Sequence, residues 1–508
     1  MKSGDYIVFY LYFCNRNGLH KEQMARKVKI LIKNGIDKRE VGYYSTPSFI
    51  SDYITNEMLA LNPNGVDVLD PAVGKEELLN RFFDAGKKIE SFDIIDYGSH
   101  SKSSFCQKNF IDVYAEFVAG QFFSFVPSKY DYMIANPPYN CHEIDYIRDN
   151  KKWLNELFPI GAYNMYSMFL SAMINMAKDG CLIGVVISDS FLTSTYHSKL
   201  RDQIFSSCSI HQIILCPTDL FWGQQADVRT CIMILQKGTK YQSDVLVADR
   251  PQNASELKKI LVGHKLKRVS LDSIRLNCNK SNNQILIDVD EEVVNLFHQN
   301  ALLGDVFKCV TCISTGNDSL YLSKAKKSGY TIPFYKNPAS HKFVGKEDAY
   351  LTDDYMNAHS NDKNFMVRNK DLLHHEGIAC SSMGLPFSAV YLPEEAVTGV
   401  NPTIFPPKDD INWLLAYLNS SLVTYLIRGV LIRSNMVTSG YVNCLPVLNF
   451  SNDDKKKLGE IASLVRERKV YVDDAIEKID SLVFSKTRIS DNVTNHILYF
   501  SRNLGKCV

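Results

Sequence analysis

Asn136-Pro137-Pro138-Tyr139 is the segment of this 508-residue chain whose residue types and order could do chemistry. An amine on an aromatic ring is a poor nucleophile, because its lone pair is delocalised into the ring. A site that uses such an amine must accept both N–H hydrogens and draw the nitrogen toward tetrahedral geometry. The Asn136 side-chain oxygen and the Pro137 carbonyl can both accept, and Pro138 stiffens the turn that aims them. Tyr139 can stack on the flat ring, as aromatic side chains do with unstacked bases. The plain alternative for the same four residues is a Pro-Pro turn closing a strand.

These side chains need a rigid support, and the apolar run at 132–135 directly before them supplies a strand. Short apolar runs at 66–69, 91–95 and 130–135 alternate with an amphipathic segment at 76–83, the pattern of βαβ units on a parallel sheet. Further strands are predicted over 181–188, 211–215 and 230–236, with helices over 166–178 and 198–205. In an open α/β sheet, ligands bind beyond the carboxyl ends of the strands, where the 136–139 loop would lie. From about Leu302 the texture changes to short runs broken by Gly, Pro, Asn and Asp, as at 314–318 and 403–407. This predicts a second, loop-rich α+β domain. Apolar residues at helical spacing over 453–484 predict a helical arm. The expected domains are 1–300, 301–450 and 451–508.

Composition narrows the class. Lys and Arg number 57 against 56 Asp and Glu, so the net charge of +1 excludes a uniformly basic coat but allows a basic groove. A 45% hydrophobic content with 27 Tyr and 27 Phe excludes a disordered or collagenous chain. Thirteen cysteines without a repeated framework fit reduced thiols and a cytoplasmic location. The apolar stretch at 6–14 carries tyrosines and no cleavage site follows it, so a soluble, uncleaved protein is expected. Cys309 and Cys312 have half a zinc spacing without a second pair, so no metal is expected. Glu256-Leu257-Lys258 reads as a solvated helix, and the basic run from Lys21 to Arg39 as an amphipathic one.

Taken in chain order, the motifs resemble the N6-adenine DNA methyltransferases of bacterial restriction-modification systems, in the group with a C-terminal target-recognition domain. Tyr43-Tyr44-Ser45-Thr46-Pro47 resembles the segment that lines the S-adenosylmethionine pocket, implying Tyr44, Thr46 and Pro47 as cofactor contacts. Residues 68–74, including Asp70, Ala72 and Gly74, resemble the strand and loop that hold the methionine portion. Asp93 matches the acidic residue on the ribose, and Asn109-Phe110 the pair on the cofactor's adenine. Two positions depart from the pattern: Glu76 stands at the second glycine of the loop, and Asn109 at the usual aspartate. Leu220-Phe221-Trp222 with 228–235 resembles the loop and antiparallel strand pair that close the sheet. That match implies Phe221 as a second aromatic wall facing Tyr139, with Trp222 as runner-up.

The resemblance implies a Rossmann-like S-adenosylmethionine-dependent methyltransferase domain joined to an α+β recognition domain. The activity implied is methyl transfer to N6 of an adenine flipped out of duplex DNA. Asn136, Pro137, Tyr139 and Phe221 are then the catalytic set, and Asn136 also borders the cofactor. Double-stranded DNA is the expected partner, with a separately encoded cognate nuclease as a further possibility. The residues leave open N4-cytosine, RNA or protein glutamine as targets, and a DNA-binding module that has lost activity.

Overall fold

A computed structural model describes residues 43–98, 102–120, 127–140, 144–221, 228–238, 244–276, 283–338, 341–384, 386–432 and 436–504. The segments at 6–14 and 21–39 and Trp222 lie outside the described residues.

The N-terminal half is built on a nine-stranded sheet in the order β3-β2-β1-β4-β5-β7-β6-β8-β9. Its strands are β1 (Asp67–Asp70), β2 (Lys88–Asp93), β3 (Ser104–Gln107), β4 (Tyr132–Ala135), β5 (Leu182–Ser188), β6 (Cys208–Leu215), β7 (Thr230–Lys237), β8 (Asp244–Ala248) and β9 (Lys267–Ser270). Strands β1 to β5 run parallel, and β7 inserts antiparallel between β5 and β6. Strands β4 and β5 are buried almost throughout, as strands covered on both faces must be. Helix α1 (Ser48–Leu61) covers one face. It seats so closely that a Cβ on Gly184 of β5 would lie 2.5 Å from Met58 Sδ, so the strand needs glycine there. Helices α2 (Phe110–Gly120), α3 (Met165–Met176) and α4 (Ser198–Ser207) cover the other face. The chain leaves β1 toward β2 on one side and returns through β4 on the other, so the carboxyl ends of β1 and β4 flank a crevice.

The predicted strands and helices here agree with the structure to within a few residues. The segment at 76–83 does not: its helix shrinks to Asn80–Asp84, and Glu76 takes a left-handed conformation with φ 65°. A residue at positive φ cannot begin a right-handed helix, so the preceding turn is lengthened instead.

The C-terminal half holds a five-stranded sheet of Lys308–Val310, Thr403–Phe405, Gly377–Cys380, Ala389–Leu392 and Phe343–Val344. Cys309 thus lies in a strand. A four-stranded sheet accompanies it. One apolar cluster from Leu276 to Leu504 joins the larger sheet to α5 (Lys408–Leu418), α6 (Asn452–Arg466), α7 (Val472–Ser485) and α8 (Asp491–Arg502). The helical periodicity over 453–484 divides into α6 and α7, with Arg468 at φ 60° in the turn between them. Among the described residues no single helix is long and apolar enough to cross a membrane.

Candidate active site

Asn136 begins the loop that follows β4, at the crevice between β1 and β4. Its Nδ2 donates to Tyr44 O at 2.8 Å and to Thr46 Oγ1 at 3.0 Å. Both amide hydrogens are therefore spent on the segment leading into α1, and this orients Oδ1 away from it. The Tyr139 hydroxyl donates to that Oδ1, with Val186 O of β5 as a second acceptor at 3.1 Å. No described group donates to the buried Pro137 carbonyl. Two acceptors, Asn136 Oδ1 and Pro137 O, thus occur on consecutive residues.

Three aromatic rings close around this loop. Tyr139 stacks on Tyr44 with centroids 5.6 Å apart and planes at 22°. Phe221 lies 5.8 Å from Tyr44 and 6.3 Å from Tyr139, tilted against both. A flat base between two rings needs about 7 Å, two stacking spacings of about 3.4 Å. Phe221 is only 1% exposed. It therefore does not face Tyr139 across an open slot as the resemblance implies, but packs tilted in the core beside it. Burial pushes the Tyr139 phenol well above its ordinary range, with neighbouring thiols of Cys216 and Cys231 adding to the effect, so it remains a protonated donor.

Next to the loop lies a cavity of about 160 Å3. Of the residues expected at a cofactor, Ala72, Asp93, Asn109, Phe110 and Asn136 line it. Asp70 and Gly74 support it from behind. Gly74, at φ 56°, donates its N–H to Asp93 Oδ2 at 2.9 Å, and a Cβ there would come within 2.7 Å of the Tyr43 ring. Asn109 Oδ1 caps α2 by accepting from Ile111 N at 3.0 Å, which leaves that oxygen a second lone pair.

Tyr44, Thr46 and Pro47 do not line this cavity. Tyr43 lines the cavity instead, while Tyr44 joins the aromatic trio, Thr46 holds Asn136, and the Pro47 carbonyl starts α1 by accepting from Ile50 and Ser51. Residues 43 to 47 are neither helix nor strand, and the adjacent tyrosines serve opposite sides of the chain. Tyr97, Lys108, Tyr146, Met165 and Phe169 also line the cavity and escaped sequence reasoning. The doubled tyrosine at 43–44 was the signal for Tyr43. Met165 and Phe169 come from α3, far along the chain, and carry no local signal.

Glu76, at the family's glycine position, takes the positive φ a glycine would take. Its carboxylate turns aside and accepts from Ser103 N at 3.1 Å and Ser103 Oγ at 2.7 Å. It is not among the residues lining the cavity.

Sheet order, crevice and loop together define a Rossmann-like fold of the methyltransferase type. The model of one family, N-6 DNA Methylase, matches residues 30–306, more than half of the chain, and the chain belongs to that family. It is 23% identical over 325 residues to Type II methyltransferase M.BanIII of Aneurinibacillus aneurinilyticus, covering 58% of this chain and 55% of that protein. It is 25% identical over 250 residues to Type II methyltransferase M.BsuBI of Bacillus subtilis, covering 44% and 48%. The chain thus spans about half the length of these two relatives. The Type IIL restriction-modification enzyme MmeI, solved in complex with DNA, shares the fold across 93% of this chain and 80% of its own, at 10% identity and TM-score 0.56.

The cofactor of this family is S-adenosylmethionine, and the cavity residues fit it. Asp70 is fully buried behind Pro71 and Ala72, and its Oδ2 has no hydrogen-bond partner among the described residues. Burial raises its carboxyl pKa, and the neighbouring carboxylates of Asp93, Glu77 and Glu76 raise it further. Such a cluster is relieved by a cation, and the cofactor carries two, an ammonium and a sulfonium.

Proposed function

We propose that this chain is a DNA methyltransferase that methylates N6 of adenine within a specific duplex sequence, using S-adenosylmethionine. The observation that carries this reading is the orientation of Asn136. With both amide hydrogens held by Tyr44 O and Thr46 Oγ1, Oδ1 is left to accept, beside the acceptor Pro137 O. A pair of acceptors suits an amine with two hydrogens and rejects a ring carbonyl, which donates nothing.

When bound, the cofactor supplies an electrophilic methyl group on a sulfonium that leaves as a neutral thioether. Ala72, Asp93, Asn109 and Phe110 would hold it, with Asp93 toward the ribose and the Asp70 carboxylate toward its positive end. Asn136 Oδ1 and Pro137 O pull on the amine hydrogens and concentrate the lone pair on nitrogen. The rest of the rate comes from orientation. An adenine inside a duplex cannot reach this loop, so the target base must rotate out of the stack, and Tyr139 gives it a surface. Duplex DNA would lie between the sheet domain, residues 1–300, and the recognition domain, residues 301–450, with the helices of 451–508 bracing the latter. That MmeI, which shares the fold, was solved in complex with DNA supports DNA as the partner. A separately encoded nuclease would complete a restriction-modification pair.

The test is methyl transfer by the purified chain to methylation-free bacterial DNA, followed by nucleoside mass spectrometry. N6-methyladenine from the wild type, lost in Asn136→Ala with cofactor affinity nearly kept, is the expected result. N4-methylcytosine would overturn the choice of base. Activity retained in Asn136→Ala would overturn the role of the loop.

A further inference from the structure

Tyr139 stands in the seat that the proposed function reserves for the target amine. Its hydroxyl donates to Asn136 Oδ1, the acceptor the amine needs, and its ring occupies the space against Tyr44 and Phe221. The phenol has one hydrogen and two acceptors within reach, Asn136 Oδ1 and Val186 O. It can therefore give up the first acceptor and still be satisfied by the second, which belongs to a buried residue of β5. Tyr44 forms the near-parallel face on which the Tyr139 ring rests, and its backbone carbonyl fixes the Asn136 amide. One residue thereby holds both the catalytic acceptor and the ring that covers it.

Resting on the function proposed above, we propose that Tyr139 is a displaceable plug, seated in the free protein on Tyr44 and Asn136 Oδ1 and expelled by the entering base. The incoming amine takes over Oδ1 and the hydroxyl turns wholly to Val186 O. The ring then slides off Tyr44 and becomes the surface on which the base stacks. Tyr44 is the positioning residue of the closed state. Only hydrogen bonds are exchanged, and their number is conserved: the donor lost to Asn136 by the phenol is replaced by a donor from the base. A group without an amine hydrogen offers no such replacement and leaves the plug in place, so the device adds selectivity for amino-bearing bases.

Tyr139→Phe keeps the ring and removes the hydroxyl that competes for Asn136. With methylation-free DNA, its kcat/KM should rise about fivefold, the factor that one ordinary neutral hydrogen bond is worth. A kcat/KM equal to or below wild type contradicts the plug. A second readout is independent of turnover: the 19F resonance of the full chain carrying 3-fluorotyrosine at position 139. Asn136→Ala should shift that resonance in the free protein, and saturating DNA should shift it in the wild type. An unmoved resonance in free Asn136→Ala overturns the plug whatever the activity. A shifted resonance in a protein that methylates no nucleic acid upholds the closed contact and overturns the proposed function instead.

Discussion

Glu76 illustrates how one residue can break a motif without breaking the site. Its backbone keeps the left-handed conformation that the turn requires, and its side chain ties down Ser103 across the crevice loop. An L-residue at that conformation costs about 1–2 kcal/mol, offset here by two hydrogen bonds to a carboxylate. Glu76→Ala keeps the backbone cost and loses both bonds, and should lower unfolding stability by about 2 kcal/mol. Glu76→Gly loses the same bonds but removes the backbone cost, so it should fall between wild type and Glu76→Ala. Denaturant midpoints give the order, and an alanine variant as stable as the glycine variant would refute the argument. None of this is visible in the residue types at 74–76. The hydrogen-bonding capacity of Asn136 and Pro137 was legible in the sequence, because an amide and a proline carbonyl have fixed donor and acceptor inventories. Which of Tyr43 and Tyr44 faces the cavity was not, because that depends on the contacts each side chain finds in the folded chain.

Among the elements, strands β4 to β7 were readable because continuous apolar runs bounded by turns have few other uses. The two-residue strands of the C-terminal half, such as Phe343–Val344 and Val397–Thr398, were not, since pairing with distant segments defines them rather than any local period. Helix α6 combines both kinds of information. Ser451 and Asp454 form a capping box at its start, and Lys486, just past the end of α7, donates to Asp454 at 2.8 Å. The bonds from Lys486 and then Ser451 hold the Asp454 carboxyl down at about 2, against about 3.9 in an unfolded chain. A lowered carboxylate pKa contributes stability that is complete above about pH 4 and disappears as pH falls toward 2. The difference in thermal midpoint between wild type and Asp454→Asn should therefore be largest above pH 4 and close toward pH 2. A difference that stays constant across that window would mean the pairing contributes nothing through ionisation.

At the scale of the molecule, both halves brace the loop that follows β5. The loop following β5 is held from within by Arg201, which donates to Phe191 O and Ser194 O. It is also held by Gln284, which donates to Thr193 O. On the C-terminal side Gly440 approaches so closely that a Cβ would sit 2.4 Å from Thr195 Oγ1. The strand carrying Val186 O, the alternative acceptor for Tyr139, leads straight into that loop, so the C-terminal half packs against the continuation of the strand that Tyr139 touches. The role proposed for Asn136 is to hold the N6 amine of an adenine, in one sequence context, while it takes the methyl group of S-adenosylmethionine. Single-molecule sequencing of DNA from a methylation-free host expressing this chain, beside the Asn136→Ala variant, tests it most directly. The expected result is an N6-methyladenine mark at one recurring sequence with the wild type and none with the variant. A soluble, DNA-binding wild-type chain that leaves no mark, or a variant that leaves the same mark, would contradict it.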